Sequence, residues 1–320
     1  MEILVTGGAG FIGSHLIAYH LAQHDVVYAI DDYSTGTRQT IAHFTPHANF
    51  HFIEGDLLTH PSLEAIVCSV DRIYHMAAVV GVFKVMFDSK RLLETNILAT
   101  ERLLRLATHS KRDPRILLAS SSEVYGEGEG HPFSEGDPLI VGARRKGCAA
   151  YVVSKMALEC FGSSFHQHEN LKTTSLRLFN TIGPRQLGGY GMVVPRFIDQ
   201  AVANQPLVVY GTGEQTRSFC DVRDVVKMMD CIAGSVETIG QVLNVGHDQE
   251  ISMNQLALRI KRLANSASEI QHLPYEKIYG PGFEDAMYRR PDLSALQRLI
   301  AYQYDWDLTK TLHDLIHSHP

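Results

Sequence analysis

The chain has 320 residues, of which 45 % are hydrophobic and 20 % are charged, and its formal net charge is −6. This length exceeds the roughly 100–200 residues of one typical domain and predicts two domains, or one large unit with an added lobe. The negative charge argues against a nucleic-acid-binding protein that works by neutralising phosphates.

The cysteines and histidines show no disulfide or metal pattern. Five cysteines are an odd number and form no Cys-x-x-Cys pair, which favours a reducing, cytoplasmic location. The 17 histidines are scattered, and neither 166–168 nor 317–320 supplies the ligands of a closed metal site. Because no apolar stretch reaches the roughly 18 residues that cross a bilayer, we expect a protein without a metal or a membrane segment.

Short apolar runs alternate with helical patterns through the first half of the chain. Near-continuous runs are typical of parallel strands buried on both faces, and they occur at 2–6, 26–30, 50–54, 72–77, 115–121 and 173–179. Apolar residues at helical spacing lie between them, at 11–24, 61–70, 89–110 and 150–169. This alternation predicts an α/β fold with a doubly wound parallel sheet.

The second half of the chain is less regular. Joints rich in glycine and proline occur at 181–191, 210–216 and 279–282. They predict a smaller mixed α/β lobe that closes over the sheet, while 241–246 has the pattern of one more strand returning to it. We therefore assign residues 1–179, with a returning segment near 220–246, to the sheet domain and residues 180–320 mainly to the substrate-binding lobe.

A glycine-rich stretch, Thr6 to Gly13, follows the first strand and opens the first helix. In that context glycines allow a tight turn and the close approach of a pyrophosphate, which we expect at Gly8 and Gly10. Gly13 allows the helix to pack on the strand, and the helix N-terminus supplies N–H donors. The stretch predicts a Rossmann-type dinucleotide site, with contacts at Gly7, Gly8, Gly10, Phe11, Ile12 and Gly13.

An acidic residue at the end of the second strand bears on the choice of cofactor. Asp31 lies eighteen residues after Gly13, close to the spacing of a ribose-binding carboxylate. Such a carboxylate accepts from the 2′-hydroxyl and repels a 2′-phosphate, so we expect NAD rather than NADP, although Arg38 could weaken the preference. Asp56 after the third strand could reach the adenine or simply cap a turn.

Tyr151 and Lys155 stand one turn apart on one helical face, so an ammonium group can lie near a phenol. A tyrosine with a free pKa of about 10 is a poor base at neutral pH, and a neighbouring cation stabilises its phenolate. The stretch SSSEVYG, residues 120–126, ends the fifth strand, at the edge where open α/β sheets bind ligands. Its hydroxyls and carboxylate therefore belong to the same predicted site.

Several motifs, in order along the chain, resemble those of the extended short-chain dehydrogenases/reductases that act on nucleotide sugars. They run from residue 2 to about residue 310 and comprise TGGAGFIGSHL with Asp31, HMAA (75–78), the serine-rich strand end, YVVSK, RLFNTIGPRQ (177–186), VVPRFI (193–198), VYGTGEQTRSF (209–219) and RRPD (289–292). The resemblance implies a tightly held NAD that oxidises the sugar of a nucleotide-diphosphate sugar, expected to be a UDP-sugar, at C4.

The resemblance also implies roles for individual residues. Tyr151 is the base that removes the C4 hydroxyl proton, Ser121 hydrogen-bonds the same oxygen, and Lys155 binds the nicotinamide ribose and lowers the pKa of the tyrosine. Positions that contact the cofactor are matched by Asp32, Leu57, Ala77, Ala78, Tyr151 and Lys155. Positions that hold the nucleotide diphosphate or the sugar are matched by Ser122, Asn180, Val194, Arg196, Arg217 and Arg289.

The residues beside the tyrosine decide which reaction comes after C4 oxidation, because a 4-keto sugar acidifies the C5 proton and makes a C5 carboxylate a β-keto acid. The Ser-Ser-Glu of 121–123 resembles the Thr-Ser-Glu of UDP-glucuronate decarboxylases, with Glu123 near C5 and Arg289 near the substrate carboxylate. The sequences of segments 79–85 and 191–198 are closer to those of 4-epimerases. Decarboxylation is therefore our first interpretation, and a UDP-sugar 4-epimerase, a nucleotide-sugar 4,6-dehydratase and a non-catalytic dinucleotide-binding sensor stay open.

The helices predicted at 89–110 and 150–169 carry more apolar positions than one buried face needs. In relatives the equivalent helices of two subunits form a four-helix interface, so the resemblance implies a homodimer. The apolar positions in question are Leu103, Leu104, Leu106, Met156, Leu158 and Phe161.

Overall fold

The computed structural model describes residues 1–80, 88–127, 130–141, 149–188, 191–280 and 285–319. The densest basic run of the sequence, 143–147, and Cys148 lie outside the described residues. The same is true of most of segment 79–85, whose sequence is similar to that of epimerases. Two of the glycine-rich joints, at 181–191 and 279–282, are described only in part.

A seven-stranded parallel sheet forms the centre of the molecule. The strands, in chain order, are β1 (Glu2–Thr6), β2 (Val26–Asp31), β3 (Phe50–Glu54), β4 (Arg72–His75), β5 (Arg115–Ser121), β6 (Lys172–Leu178), β7 (Thr181–Ile182), β8 (Leu207–Tyr210), β9 (Thr216–Ser218), β10 (Cys220–Asp221), β11 (Val242–Val245), β12 (Glu250–Ser252) and β13 (Ile270–Leu273). The sheet order is β11-β6-β5-β4-β1-β2-β3, with every neighbouring pair parallel. The predicted doubly wound sheet is confirmed, and the predicted returning strand is β11.

The helices, in chain order, are α1 (Phe11–Ala22), α2 (Arg38–Ile41), α3 (Leu63–Ser69), α4 (Ser89–Leu93), α5 (Ala99–Ala107), α6 (Ala149–Glu169), α7 (Val193–Val202), α8 (Val222–Gly234), α9 (Met253–Leu263), α10 (Glu276–Tyr279), α11 (Ser294–Leu299) and α12 (Leu308–His317). A π-helical turn, Glu94–Leu98, joins α4 to α5, so the helix predicted at 89–110 is interrupted and ends three residues early. Such turns place side chains in positions that a regular α-helix does not offer. Here Asn96 accepts from the Val79 N–H at 2.8 Å and donates to the Ser154 hydroxyl at 3.1 Å.

Both faces of the sheet are covered by apolar side chains. On one face α1, α8 and α11 pack against the strands, and on the other face α3, α5 and α6 do so. Strand β5 is buried at all seven positions, which is why its sequence is nearly continuous in apolar residues. Residues 293–304 also pack on the first face, so this part of the C-terminal half returns to the sheet in addition to the predicted 220–246. The boundary between 179 and 180 stays a prediction.

The second lobe has a core of its own. Its apolar residues come mainly from α7, β8, α9 and α12, and short strands pair as β8 with β13 and β9 with β12. Across the ranges that the structure describes, no helix has both the length and the apolar character needed to span a bilayer.

Of the six apolar residues predicted for a dimer interface, three are buried, and Leu106, Met156 and Phe161 are partly buried. Leu103 and Leu104 are fully buried within the chain and Leu158 is 2 % exposed, so the expectation that these three face a partner is wrong. They fill the core between α5, α6 and the sheet. The exposed apolar residues of the same helical region are Leu98 and Val153.

Candidate active site

A cavity of about 550 Å³ opens at the carboxyl ends of the sheet strands, between the sheet and the second lobe. The strand order reverses between β1 and β4, and the ligand crevice of an open α/β sheet lies at such a reversal. All the predicted site residues except Gly8 line this one cavity. The fold therefore brings the predicted cofactor, catalytic and substrate residues together.

The turn after β1 is built around Gly7. Its φ of +69° lies in the left-handed region that glycine adopts without strain, and a Cβ there would come within 2.8 Å of the Ala77 nitrogen. Gly8, which was predicted for this turn, is its next residue, and a Cβ there would meet Ala29 of β2 at 2.7 Å. A Cβ on Gly13 would lie 2.2 Å from the Gly7 carbonyl oxygen, which explains the close packing of α1 on β1.

The N-terminus of α1 is open to the cavity. Its N-cap residue is Gly10, which has no side chain, and the nearest atom to a Cβ built there is the Gly7 carbonyl oxygen at 3.1 Å. Phe11 and Ile12 of the first turn also line the cavity. Backbone N–H groups and the helix dipole favour an anion at such a place, so this end of the cavity fits the pyrophosphate of a dinucleotide.

Asp31 presents a carboxylate at the same end of the cavity. Its Oδ2 accepts from the Ala9 N–H at 3.0 Å and its Oδ1 from the Tyr33 N–H at 2.7 Å. Burial raises the pKa of Asp31, and these two donors oppose the rise. A carboxylate fixed in this way fits the hydroxyls of a ribose and disfavours a 2′-phosphate.

Arg38, the residue that could weaken a preference for NAD, pairs with a carboxylate instead. Its Nη2 donates to both carboxylate oxygens of Glu54, at 2.8 and 2.7 Å, and Glu54 is the register partner of Asp31 in the pairing of β2 with β3. Asp56 lines the cavity, and its Oδ1 also accepts a backbone N–H two residues further on, at 2.8 Å. Both roles foreseen for Asp56, the turn and the adenine, are compatible with this position.

Ser121, Tyr151 and Lys155 meet where β5 ends and α6 begins. The Ser121 hydroxyl lies near enough to the Tyr151 phenol to lower its pKa, and it accepts from the Glu123 N–H at 3.2 Å. The Lys155 Nζ lies 5.7 Å from the centroid of the Tyr151 ring and donates to the Ala119 carbonyl oxygen at 2.6 Å. A phenol with a hydroxyl and an ammonium group beside it has the composition of a tyrosine general base.

Burial dominates the pKa values of the tyrosine and the lysine. It raises the pKa of Tyr151 to about 12, although the nearby Ser121 hydroxyl lowers it and the charge of Glu123 raises it further. Burial lowers the pKa of Lys155 to about 8, and the charge of Glu159 opposes that shift. The net shift of the tyrosine pKa in the chain by itself is therefore upward, because desolvation of the phenolate outweighs the effect of Ser121, and the expected lowering by Lys155 stays a prediction.

Glu123 and Arg289 form an ion pair inside the cavity although 166 residues separate them. The Arg289 Nη1 donates to Oε1 of Glu123, and its Nη2 lies 3.3 Å from Oε2. Arg289 is 4 % exposed, and its buried Nε has no hydrogen-bond partner within the described part of the chain. A buried N–H without a partner costs free energy, so this donor suits the carboxylate of a bound substrate. The sequence predicted both residues for the site but not their pairing.

Arg217 and Asn180 lie at the end of the cavity that faces the second lobe. The Arg217 Nη2 donates to Asp285 at 2.6 Å, and the Asn180 Nδ2 donates to the Ser218 carbonyl oxygen at 3.0 Å. Burial lowers the pKa of Arg217, and Asp285 opposes the shift. Sequence reasoning missed Asp285, because a lone aspartate in an irregular segment gives no pattern to recognise.

Arg196 lies close to aromatic rings that the sequence did not predict for the site. Its guanidinium lies 4.1 Å from the centroid of Tyr210, and its Nη1 donates to the Val208 carbonyl oxygen at 2.5 Å. Tyr275 and Tyr279 line the same part of the cavity. Tyr210 stands in the recognised stretch 209–219, but the motif by itself assigned it no contact.

Comparison with known proteins identifies the family. Residues 3–246 match the family described as "NAD dependent epimerase/dehydratase family". The chain belongs to this family. The family resemblance inferred from its motifs and the predicted fold class are thereby confirmed.

Within the NAD dependent epimerase/dehydratase family, the chain is similar to two curated decarboxylases. The UDP-N-acetyl-alpha-D-glucosaminuronate decarboxylase of Bacillus cytotoxicus is 37 % identical over 303 residues, which cover 93 % of this chain and 91 % of that protein. UDP-glucuronic acid decarboxylase 1 of Xenopus tropicalis is 35 % identical over 319 residues, 99 % of this chain and 71 % of that protein.

A solved structure of the family has the same fold over the whole chain. The UDP-glucuronic acid 4-epimerase of Bacillus cereus, in complex with UDP-glucuronic acid and NAD, superposes with a TM-score of 0.87 at 28 % identity and covers 99 % of both chains. The family fold is therefore shared by decarboxylases and epimerases, and the side chains in the cavity have to distinguish them.

Proposed function

We propose that the protein is an NAD-dependent enzyme that decarboxylates a UDP-linked uronic acid, with conversion of UDP-glucuronate to UDP-xylose as the first candidate. The observation that carries this proposal is the Glu123–Arg289 pair, which lies in one cavity with Ser121 and Tyr151. The similarity to two decarboxylases along nearly the whole chain supports it. A cytoplasmic location stays a prediction from the cysteine pattern.

The residues around the glycine turn fit NAD as the resident cofactor. The open N-terminus of α1 would hold the pyrophosphate, Asp31 the adenosine ribose, and Lys155 the nicotinamide ribose. When bound, NAD supplies the oxidation of the sugar at C4 and the reduction that later reverses it.

The first chemical step belongs to the residues at the end of β5 and the start of α6. Tyr151 takes the proton of the C4 hydroxyl, and Ser121 donates a hydrogen bond to the same oxygen. Lys155 is charged below its pKa of about 8 and stabilises the phenolate that Tyr151 needs to be a base. A positioned base of this kind contributes about 10²–10⁴ in rate.

The second step belongs to Glu123 and Arg289. Once C4 is a ketone, the C5–C6 bond breaks, carbon dioxide leaves, and the electron pair moves into an enolate at C4. Arg289 orients the departing carboxylate, for which its buried Nε is available. Glu123 then delivers the proton that C5 gains, because a substrate carboxylate that shares the charge of Arg289 weakens its effect on Glu123, and the Glu123 carboxyl group binds a proton more readily.

A 4-epimerase acting on the same substrate is the second candidate. It is favoured by the superposition with the Bacillus cereus 4-epimerase over 99 % of the chain, and Ser121, Tyr151 and Lys155 serve both reactions equally. An epimerase turns the 4-keto sugar and returns it without breaking the C5–C6 bond. The two reactions give different products, so product analysis distinguishes them directly.

Product analysis by NMR tests the proposal directly. The protein with NAD is incubated with UDP-glucuronate and, in parallel, with UDP-N-acetylglucosaminuronate, UDP-glucose and GDP-mannose. Release of carbon dioxide and a pentose product from either uronic acid supports the proposal, whereas UDP-galacturonate from UDP-glucuronate favours the epimerase. If no nucleotide sugar gives a product or reduced cofactor, the result counts against the proposal and favours a non-catalytic dinucleotide binder.

A variant pair locates the second step. Glu123→Gln should stall the reaction after C4 oxidation, so that reduced cofactor and 4-keto sugar accumulate while carbon dioxide release falls. Glu101→Gln is the matched control, because Glu101 pairs with Arg105 on the exposed side of α5. Normal carbon dioxide release by Glu123→Gln would count against the role of Glu123.

We also propose that two chains associate through the region of α4 to α6, as the resemblance implies. Support comes from Leu98 and Val153, which are 52 % and 41 % exposed. Contiguous apolar patches on a protein surface mark contact sites, and we propose that these two side chains belong to such a patch.

A further inference from the structure

Asn244 occupies the centre of a buried hydrogen-bond network behind the cavity. It lies on the returning strand β11 and is 0 % exposed. Its Nδ2 donates to the carbonyl oxygens of Phe133 and Asp292, at 2.8 and 3.1 Å, and its Oδ1 accepts from the Tyr125 hydroxyl at 2.7 Å. Both amide donors are therefore used, and this pattern of one acceptor and two donors is one that only an amide side chain offers.

The partners of Asn244 belong to the two segments that carry the ion pair. Tyr125 is in the same helical turn as Glu123, Ser122–Tyr125. Asp292 lies three residues after Arg289. A single buried side chain thus contacts the turn that places the carboxylate and the segment that places the guanidinium.

A loop between these segments reinforces the connection. Phe133 donates its N–H to the Arg290 carbonyl oxygen at 2.8 Å, and its own carbonyl oxygen accepts from the Asp292 N–H at 2.7 Å. The ring of Phe133 stacks on that of Tyr125, with centroids 4.5 Å apart and an angle of 10° between the planes. The Asn244 N–H also donates to Glu135 of this loop, at 2.8 Å.

The network is anchored in the rigid core of the sheet domain. The Tyr125 hydroxyl accepts from the Arg177 Nη1 at 2.9 Å, and Arg177 pairs with the buried Glu159 of α6 at 2.8 Å. Glu159 in turn accepts from the Ser120 hydroxyl at 2.5 Å. Because buried networks with satisfied members hold side chains in one arrangement, Asn244 has a fixed position from which to hold both segments.

We propose that Asn244 and Tyr125 are positioning residues that fix the separation of Glu123 and Arg289, and that they serve the loss of the carboxylate rather than C4 oxidation. This inference rests on the proposed function. Misplacing reacting groups by about 1 Å costs roughly 10² in rate. Glu123 and Arg289, the acid and the cation of the second step, come from distant parts of the chain. Their separation therefore depends on hydrogen bonds that connect the two segments.

The residues of the first step are held by other contacts. Ser121 is the last residue of β5 and is paired with Leu178 of β6. Lys155 is fixed by its hydrogen bond to Ala119. Loss of the Asn244 amide or the Tyr125 hydroxyl leaves these contacts in place, so the two steps should respond differently.

The test uses Tyr125→Phe and Asn244→Leu, with Tyr74→Phe as the matched control. Tyr74 is as buried as Tyr125, and its hydroxyl also makes two buried contacts, with His20 at 3.0 Å and Arg72 at 3.1 Å. It does not line the cavity. If Asn244→Leu does not fold, Tyr125→Phe carries the test, because it removes one oxygen and keeps the ring.

Two rates are measured for each protein with bound NAD and UDP-glucuronate: formation of reduced cofactor and release of carbon dioxide. In Tyr125→Phe and Asn244→Leu, carbon dioxide release should fall roughly 10–100-fold while formation of reduced cofactor changes less than about threefold, so that 4-keto sugar accumulates. With UDP-glucose, which has no carboxylate, both variants should match the wild type in forming reduced cofactor. Tyr74→Phe should alter neither rate.

The outcomes separate this inference from the proposed function. An equal fall of both rates, or no change in either, would show that the network is only structural. A wild-type protein that forms reduced cofactor but releases no carbon dioxide from either uronic acid would reject the proposed function, and with it the step assigned to Asn244.

Discussion

Lys155 donates a hydrogen bond of 2.6 Å to the carbonyl oxygen of Ala119. Ala119 precedes Ser121 by two residues on β5, so the two side chains lie on the same face of the strand, and Lys155 follows Tyr151 by one turn of α6. The bond therefore fastens the catalytic helix to the catalytic strand. Residues that act as such a unit have non-additive effects on turnover when they are changed.

Removal of the phenol of Tyr151 should abolish turnover without loss of the cofactor. In Tyr151→Phe the C4 hydroxyl has no base, and we expect product formation to fall by about 10²–10⁴. The NAD content of the variant, measured by mass spectrometry after denaturation, should equal that of the wild type. Full turnover by Tyr151→Phe would remove Tyr151 from the role of base.

The activity should decrease at high pH as Lys155 loses its charge. Its pKa of about 8 means that the ammonium is charged at lower pH and loses its charge as the pH rises through that value, and the phenolate of Tyr151 then loses stabilisation. We expect kcat/KM to fall above about pH 8. A profile of kcat/KM that stays level to about pH 10 would contradict this assignment, and Lys155→Met should show a low activity without this decrease.

Asp31 should set the preference for NAD. Hydrogen bonds to a charged group contribute about 1.5–3 kcal/mol, so Asp31→Ala should weaken NAD binding by roughly 10–100-fold and narrow the preference over NADP. Adding Glu54→Gln frees Arg38 from its pair and should raise the affinity for NADP. Calorimetric titration with both dinucleotides checks this, and unchanged affinities in Asp31→Ala would misplace the ribose site.

Acid should destabilise the fold through His75. Its ring lies between the hydroxyls of Thr6 at 2.8 Å and Thr100 at 2.9 Å, and burial lowers its pKa from 6.5 to about 3. Between these values the unfolded chain binds the proton and the folded chain does not, so stability rises with pH, by up to about 1.4 kcal/mol per pH unit. Urea unfolding at several pH values should show a shallower slope for His75→Gln, and an equal slope would argue against a neutral buried ring.

Association should depend on the exposed apolar residues near α6. Val153→Asp places a charge in the proposed contact and should convert a dimer into a monomer, as measured by light scattering at micromolar concentration. Val236→Asp is the control, because Val236 is 78 % exposed and lies outside the region from α4 to α6. A wild-type protein that is monomeric under these conditions would exclude the proposed contact.

The sequence by itself determined the architecture and, through the resemblance of its motifs to a known family, the expectation of oxidation at C4. Strand β5 was predicted with both of its bounds, because a strand buried on both faces must be apolar almost throughout. Gly13, Asp31, Ser121, Tyr151 and Lys155 were predicted for the site, since each is a short-range signal at a fixed distance from a strand or a helix end. Such residues can be predicted because the distance to the end of a strand or a helix is visible in the sequence.

Relationships between distant segments were decided only by the tertiary structure. Three ion pairs join residues that no local pattern connects. They are Glu123 with Arg289, Glu54 with Arg38, and Asp285 with Arg217. The same holds for the burial of Leu103, Leu104 and Leu158, which the helical pattern could not distinguish from an interface. Packing chooses among the contacts that a side chain can make, and that choice depends on the whole fold.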